Sequence, residues 1–374
     1  MQGTVTADFQ PCASAAKIQL ALNGQFCSNN TGYNGPISLQ TTGSASVHAT
    51  RNLFVNQSGI AKQPVHVHAN LQTQITSINH PLRLVRRIAA NKAAQQKPQA
   101  DRIAHRKLTD RVGQQFTTET DHATVFSVSG VMGQVTPMLR RLAMPEPSQG
   151  WSSTSDEMSV GLMFRRKHQF GAVNPSPWIS TDYSAAIQLH ESLIANVSST
   201  VLAGRSMTKA KIDELLSAAG RDTAEGDDEA ETSDFVVDFD SVRPLIFEAR
   251  DDLLTIGIRA KRFAQDDKEV KADKRFPLLT VSASYKPATT DSGRQILVRE
   301  GDVHVDFGQK GKLPIDKTAA KGRMVAAFSK VFPTTLLDQP IVVPADAKME
   351  ALRGTEFTPA EIDANDGWLT IAVR

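Results

Sequence analysis

Apolar residues across residues 4–78 recur at every second position. Ile18, Leu20 and Leu22 alternate with polar residues; Ile37 and Leu39 follow, then Val47 and Ala49, then Val65 and Val67. A period of two puts such residues on one face of a sheet. The runs NNTGYNGP (29–36), TTGS (41–44) and NQSG (56–59) supply the Gly and Asn that turns favour. The pattern therefore predicts a β meander, apolar on one face and rich in Ser, Thr, Asn and Gln on the other. Over residues 81–116 the period becomes helical. Leu84, Val85 and Ile88 form one stretch of stripe; Ala100, Ala104, Leu108, Val112 and Phe116 form another, with Ile103 beside them. So narrow a stripe buries one face and leaves the rest solvated. Pro98 predicts a division of this helix, because an interior proline removes a hydrogen bond and clashes with the preceding turn.

Beyond the helix, residues 123–131 and 158–164 read as returning strands around an irregular Pro/Gln/Ser stretch. FGAVNPSPW (170–178), with two prolines, reads as a linker and sets domains of 1–174 and 175–374. The second half opens with a strand through Tyr183, Ala185, Ile187 and Leu189. A helix over 191–203 follows, with Gly204 as its C′ residue. Thr208 caps a further helix carrying Ile212, Leu215 and Leu216, which Gly220 ends. The acidic run 221–234 lacks the spacing of a calcium loop and reads as solvated chain. A second meander spans 235–307. It leads to a helix over 317–332 whose Met324, Ala327, Phe328 and Val331 fall at i, i+3, i+4 and i+7, and strands near 341–343 and 368–373 close the chain. Meander, helix and closing strands thus occur in both halves. The fold class is α+β: two β-meander-plus-amphipathic-helix units, each with a strongly curved antiparallel sheet.

Composition narrows the classes. With 374 residues, 40% hydrophobic and 22% charged, the chain can fill packed cores. No stretch approaches the ~18 apolar residues of a membrane-spanning helix, and a net charge of +2 implies no global electrostatic partner. The N-terminus shows neither basic nor apolar region of a signal peptide. If the halves are related, the first has lost an opening helix or begins inside a longer precursor. Cys12 and Cys27 would be within reach of a disulfide on suitably paired strands, and otherwise are two free thiols.

A meander curling round an amphipathic helix and ending in a strand such as DGWLTIAV resembles the tubular lipid-binding superfamily, to which bactericidal permeability-increasing proteins belong. NTGYNGPI, IQLHESLIANV and the basic helix are similar to exported bacterial envelope proteins. The resemblance implies a slot for acyl chains between sheet and helix, a periplasmic or secreted location, and no catalytic residues or cofactor. The slot would be lined by Ile103, Leu108, Val112 and Phe116 in the first half and by Met324, Phe328 and Val331 in the second.

Between Arg83 and Arg111 the helix carries nine cations against Asp101 and Asp110. Without aromatics or a nucleic-acid-binding motif this excludes a nucleic-acid partner. It leaves a solvated stripe or a peripheral contact with anionic lipid, for which Arg102, Arg106 and Lys107 are the candidates. His66 and His68 would share a strand face, and an even register would set His48 opposite one of them; three imidazoles can hold zinc or copper, but neither Cys nor carboxylate sits at matching spacing, and polar residues on the solvated face of a sheet are the expected reading. Ser206 and Lys209 form an S-x-x-K without its partner motifs, and His190-Glu191 is not H-E-x-x-H because Ile194 takes the fifth place. The expected protein is non-enzymatic, with no metal and no cofactor, and binds a lipid or another apolar ligand; the alternatives are a structural or interaction module of the envelope, and a metal-dependent or serine hydrolase.

Overall fold

A computed structural model describes residues 2–123, 140, 144–180, 182–208, 210–212, 214, 235–265, 278–308, 312, 315–343 and 353–374. The chain separates into two compact units, residues 1–133 with 149–162, and 134–148 with 163–374. It is largely β with few helices, and among the described residues no sheet closes on itself.

Unit 1 is a long antiparallel meander: β1 (Gln2–Gln10), β2 (Ala16–Asn34), β3 (Ile37–Asn56), β4 (Gly59–Lys62) and β5 (His66–Asn79). β4 and β5 both pair with the same edge of β3, so they act as one broken strand. The expected turns at 29–36 and 41–44 are mostly strand. Only Gly35 and Pro36 turn the first hairpin, with Gly35 at φ 55° in the first central position that a tight hairpin reserves for glycine. Gly43 stays inside the ladder because it is paired on both sides, to Ser28 and Thr73. Strand β3, at 20 residues, is about 66 Å long at the usual rise.

α1 runs from Arg83 to Ala123 without interruption. The expected division at Pro98 does not occur. One lost backbone bond is a small deficit, because just beyond the proline the helix is held to β5 through Asp101 and His105, while Leu84 and Ile88 before it are exposed. The helix also continues past Phe116 through a threonine-rich segment unfavourable to helix. There Thr117, Thr118 and Thr120 donate their hydroxyls to the carbonyls of Gly113, Gln114 and Phe116 at 2.7, 3.0 and 2.6 Å, so the side chains are satisfied within the helix. Ala123 is therefore helical and not the start of a strand; the rest of 123–131 lies outside the described residues.

The C-terminal end of α1 is held by Arg51, which points inward from β3 and is only 7% exposed. Its guanidinium donates to Thr117 O (3.3 Å), Thr120 Oγ1 (2.6 Å) and Asp121 Oδ1 (2.9 Å), and its Nε donates to Gln63 O (3.0 Å). Lys62 joins Asp121 at 3.0 Å. Cations at a helix C-terminus match the partial negative charge of its free carbonyls.

The hairpin of β6 (Ser148–Ser153) and β7 (Met158–Met163) completes unit 1. β6 falls in the stretch expected to be irregular. It is anchored by Ser153, whose backbone exchanges two 2.9 Å bonds with Cys12 and whose hydroxyl donates to Gln10 O at 2.6 Å. Cys12 and Cys27 are both free. The 12 residues from Ala16 to Cys27 run in one extended strand, about 36 Å from end to end, far beyond disulfide reach.

Unit 2 contains β8 (Ala185–His190), α2 (Glu191–Val201), β9 (Ser206–Thr208), β10 (Phe235–Phe239), β11 (Leu245–Arg250), β12 (Leu253–Gln265), β13 (Leu279–Thr289), β14 (Gln295–Arg299), β15 (His304–Asp306), α3 (Ile315–Val331) and β16 (Thr335–Leu336). It ends with β17 (Ile341–Val342), β18 (Glu356–Phe357), β19 (Pro359–Asn365) and β20 (Trp368–Val373). β8 pairs with β20, bringing the start of the second half to its end. Gly204, at φ 69°, follows α2 as expected, and Thr208 Oγ1 accepts from Lys211 N at 3.4 Å. Leu215, Leu216, Gly220 and the acidic run lie outside the described residues. α3 buries Met324 and Phe328, and Phe332 just beyond its end joins them, in a continuous core with Phe263, Tyr285, Leu297 and Phe307.

Arg51→Met keeps the bulk but leaves Thr117 O and the Thr120 hydroxyl short of a charged donor. We expect opening of the last two turns of α1 to become easier by about 2–3 kcal/mol, read from native-state hydrogen exchange of residues 112–121.

Candidate functional site

Residues directly opposite in an antiparallel ladder face the same side, so the register of unit 1 can be read as rows. On the helix side these are Gly3–Gly24–Val47–Ala69, Val5–Leu22–Ala49–Val67, Ala7–Leu20–Arg51 and Phe9–Ile18–Leu53, with Phe26–Ala45–Leu71 farther along. Alanines occupy the centre and larger residues the flanks. The small centre lets α1 approach: Val112 and Phe116 are buried against Ala45, Val47, Ala49 and Ala69.

The helix lies chiefly along β5 and touches β3 less. Its middle is held by polar contacts. Asp101 accepts from Thr73 Oγ1 at 2.5 Å and from Lys97 at 2.6 Å, and His105 Nε2 donates to Ala69 O at 2.9 Å. Lys97 foremost, then Thr73, holds the Asp101 carboxyl below the usual carboxylate range.

A helix is about 10–12 Å across, whereas four strands at about 4.8 Å spacing span roughly 19 Å. One helix seated on β5 therefore leaves the helix side of β1 and β2 uncovered. Val5 is 57% exposed there, and Phe9, Leu20, Leu22 and Phe26 are only half-buried. At the opposite end from Phe26 the strip is stopped by Trp151 of β6, packed on Ala16, Ile18, Val55 and Ile60. The open apolar strip Val5–Phe9–Leu20–Leu22–Phe26, bordered by a cationic helix, is the candidate site.

The expected lining residues fall elsewhere. Val112 and Phe116 fill the seam between helix and sheet, with Leu108 half-buried at its edge. Ile103 is 49% exposed; at 100° per residue it lies about 140° round the helix from Leu108, away from the sheet. Met324 and Phe328 are core residues of unit 2, with Val331 packed against them. Arg102, Arg106 and Lys107 are all exposed but do not form one patch. Arg102, whose Nε donates to Pro98 O at 3.3 Å, shares a strip with Arg106, while Lys107 lies about 100° farther round. Val5, Phe9 and Phe26 were missed, although Val5, Ala7 and Phe9 alternate just as Ile18, Leu20 and Leu22 do.

The other chemistry is resolved by register and capping. His48 stands opposite His68, and His66 opposite Thr50. Among the described residues no group of three or more His, Cys, Asp or Glu is placed to hold a metal. Ser206 lies in strand β9 opposite Asp238, not at a helix start, and Lys209 lies outside the described residues. His190 caps α2 by accepting from Ser192 N at 3.1 Å, and burial pulls its pKa down.

No family model and no curated protein matches the chain. Among solved structures, a lipopolysaccharide binding protein is similar over 100% of this chain and 86% of its own length, at 10% identity and a TM-score of 0.33. Agreement that low carries no argument about this chain.

Because the Asp101 carboxyl is held below its ordinary pKa, its contribution to docking α1 is complete above the unfolded value near 4 and is lost as pH falls through the depressed one. Protection of amides 97–105 against hydrogen exchange should therefore hold from pH 7 to about 5 and fall below about 4. Asp101→Asn should lower the plateau and flatten that acid limb.

Proposed function

We propose that this is a non-enzymatic protein of the bacterial cell envelope, periplasmic or secreted, that binds a lipid or acyl chain on the helix side of unit 1. The observation that carries the reading is the uncovered strip of Val5, Phe9, Leu20, Leu22 and Phe26 beside α1. From Leu20 to Phe26 it runs six residue steps along β2, about 20 Å, suited to an extended hydrocarbon. Burial is worth about 0.8 kcal/mol per methylene, so eight methylenes laid on the strip would contribute roughly 6 kcal/mol before ordering costs. Exposed cations stand on both flanks of α1, Lys107 and Arg111 on one and Arg102 and Arg106 on the other, so the flank that borders the strip suits an anionic headgroup. A tubular lipid-binding-like curvature of the sheet round the helix belongs to the same proposal. No nucleic-acid partner and no cofactor enter it.

A structural or interaction module is the second reading, favoured by β7, whose Met158, Val160 and Leu162 share one face and are each 43–45% exposed.

Native mass spectrometry after gentle extraction should show co-purified lipid, and a fluorescent fatty acid should bind. Leu22→Asp and Phe26→Asp should each weaken uptake tenfold or more, with the far-ultraviolet spectrum unchanged, because a carboxylate on the strip is desolvated by the chain. Protein that carries no lipid and takes up no fatty acid would return the function to the interaction module.

A further inference from the structure

The face of unit 1 opposite the apolar strip has a feature that the ligand reading does not use. Residues 18–80 contain only two formally charged side chains, Arg51 and Lys62. Arg51 points inward and Lys62 lies at the end of β4, so beyond Lys17 and Phe54 at one end the outer face of β2, β3 and β5 carries no formal charge and is mostly polar. One row across it is Asn23–His48–His68. The neighbouring rows are Ala21–Thr50–His66 and Gln25–Ser46–Asn70. His48, His66 and His68 are all exposed.

Directly opposed residues on adjacent strands hold their Cβ atoms about 4.5–5.5 Å apart. Two imidazoles at that separation can reach one cation at nitrogen–metal distances near 2.0–2.1 Å. The ring of His48 is also held. Its Nδ1 lies 2.7 Å from Asn23 Oδ1; an amide oxygen only accepts, so Nδ1 carries the proton and Nε2 keeps its lone pair. A hydrogen bond that sets the tautomer and leaves the other nitrogen free is the outer-shell arrangement that tunes histidine as a ligand.

We propose that His48 and His68 form a two-ligand surface site for a late first-row divalent cation, Cu(II), Ni(II) or Zn(II), oriented by Asn23 and completed by water. Neutral nitrogen donors favour these ions over Ca(II) and Mg(II), which require oxygen. Since no third His, Cys, Asp or Glu closes the site among the described residues, the remaining positions stay open and the ion exchanges readily. His66 is on the same face but opposite Thr50, so it is not a member of the pair. The site lies on the other face of the sheet from the lipid strip and stands or falls independently of that reading.

The test is titration of untagged full-length protein with CuCl2, NiCl2 and ZnCl2 by calorimetry in a non-coordinating buffer, with Cu(II)-induced broadening of imidazole resonances as the site-resolved readout. Broadening centred on His48 and His68 is expected. Loss of an outer-shell partner ordinarily costs about 10–100-fold in affinity, so His48→Ala and His68→Ala, which remove ligands, should each cost at least about tenfold. Asn23→Ala should fall between these and wild type, while His66→Ala and the response to CaCl2 should show no effect. All these positions are exposed, and circular dichroism will verify that the sheet persists. Wild-type affinity no greater than that of the His48→Ala/His68→Ala double variant would overturn the proposal, as would equal loss in His66→Ala.

Discussion

The width of one helix against the width of the sheet beneath it governs unit 1. α1, at 41 residues, is about 62 Å long and so matches the longest strands end to end. Across the strands it covers only about half of the sheet. What remains open is decided by where the helix is held. Arg51 and Lys62 fix its C-terminal end, Thr73 and Lys97 meet at Asp101 in its middle, and Val112 and Phe116 settle into the alanine-lined centre. All of these hold the helix on the β5 side. The apolar strip of β1 and β2 is the consequence.

The second unit takes the same order of meander and helix to the opposite outcome. α3 and the residue that follows it contribute Met324, Phe328 and Phe332 to a core in which Phe263 and Phe328 lie 5.6 Å apart and Phe328 and Phe332 stack at 6.3 Å. The facing strands bring Tyr285, Leu297, Val305 and Phe307, each almost fully buried. Large side chains on both partners fill the seam. In unit 1 the centre is alanine and valine, and the bulky residues stand to one side, half-buried at the edge of the cluster formed with Val112 and Phe116. Element order is thus a poor guide to whether a sheet and helix leave space for a ligand; the distribution of side-chain volume decides it.

Charge has a similarly local meaning. The cations of α1 encircle the helix and do not gather on one face, because the line of contact with the sheet is set by residues about four apart while a helix turns every 3.6. Arg102 and Arg106 therefore share a strip that Lys107 does not. The outer face of the sheet is the converse: nearly free of charge, it is patterned instead by histidine and amide side chains in register.

Read alone, the sequence determined the two meanders, their apolar faces and the places of α1, α2 and α3 along the chain, while the pairing of His48 with a histidine of the next strand followed only on condition of an even register. These are local periodicities, written in every pair of neighbouring residues. It did not determine that α1 passes through Pro98, that β2 and β3 run through their Gly- and Asn-rich segments, or that Cys12 and Cys27 lie far apart. Each depends on more than local sequence: the sheet that holds the helix just beyond the proline, the strands that flank Gly43, the single extended strand between the cysteines. Nor could periodicity separate Phe116 and Phe328, which fill seams, from Leu22 and Phe26, which border an open one. All four sit on apolar faces, and only the placement of the helix across the sheet decides which of those faces meets another.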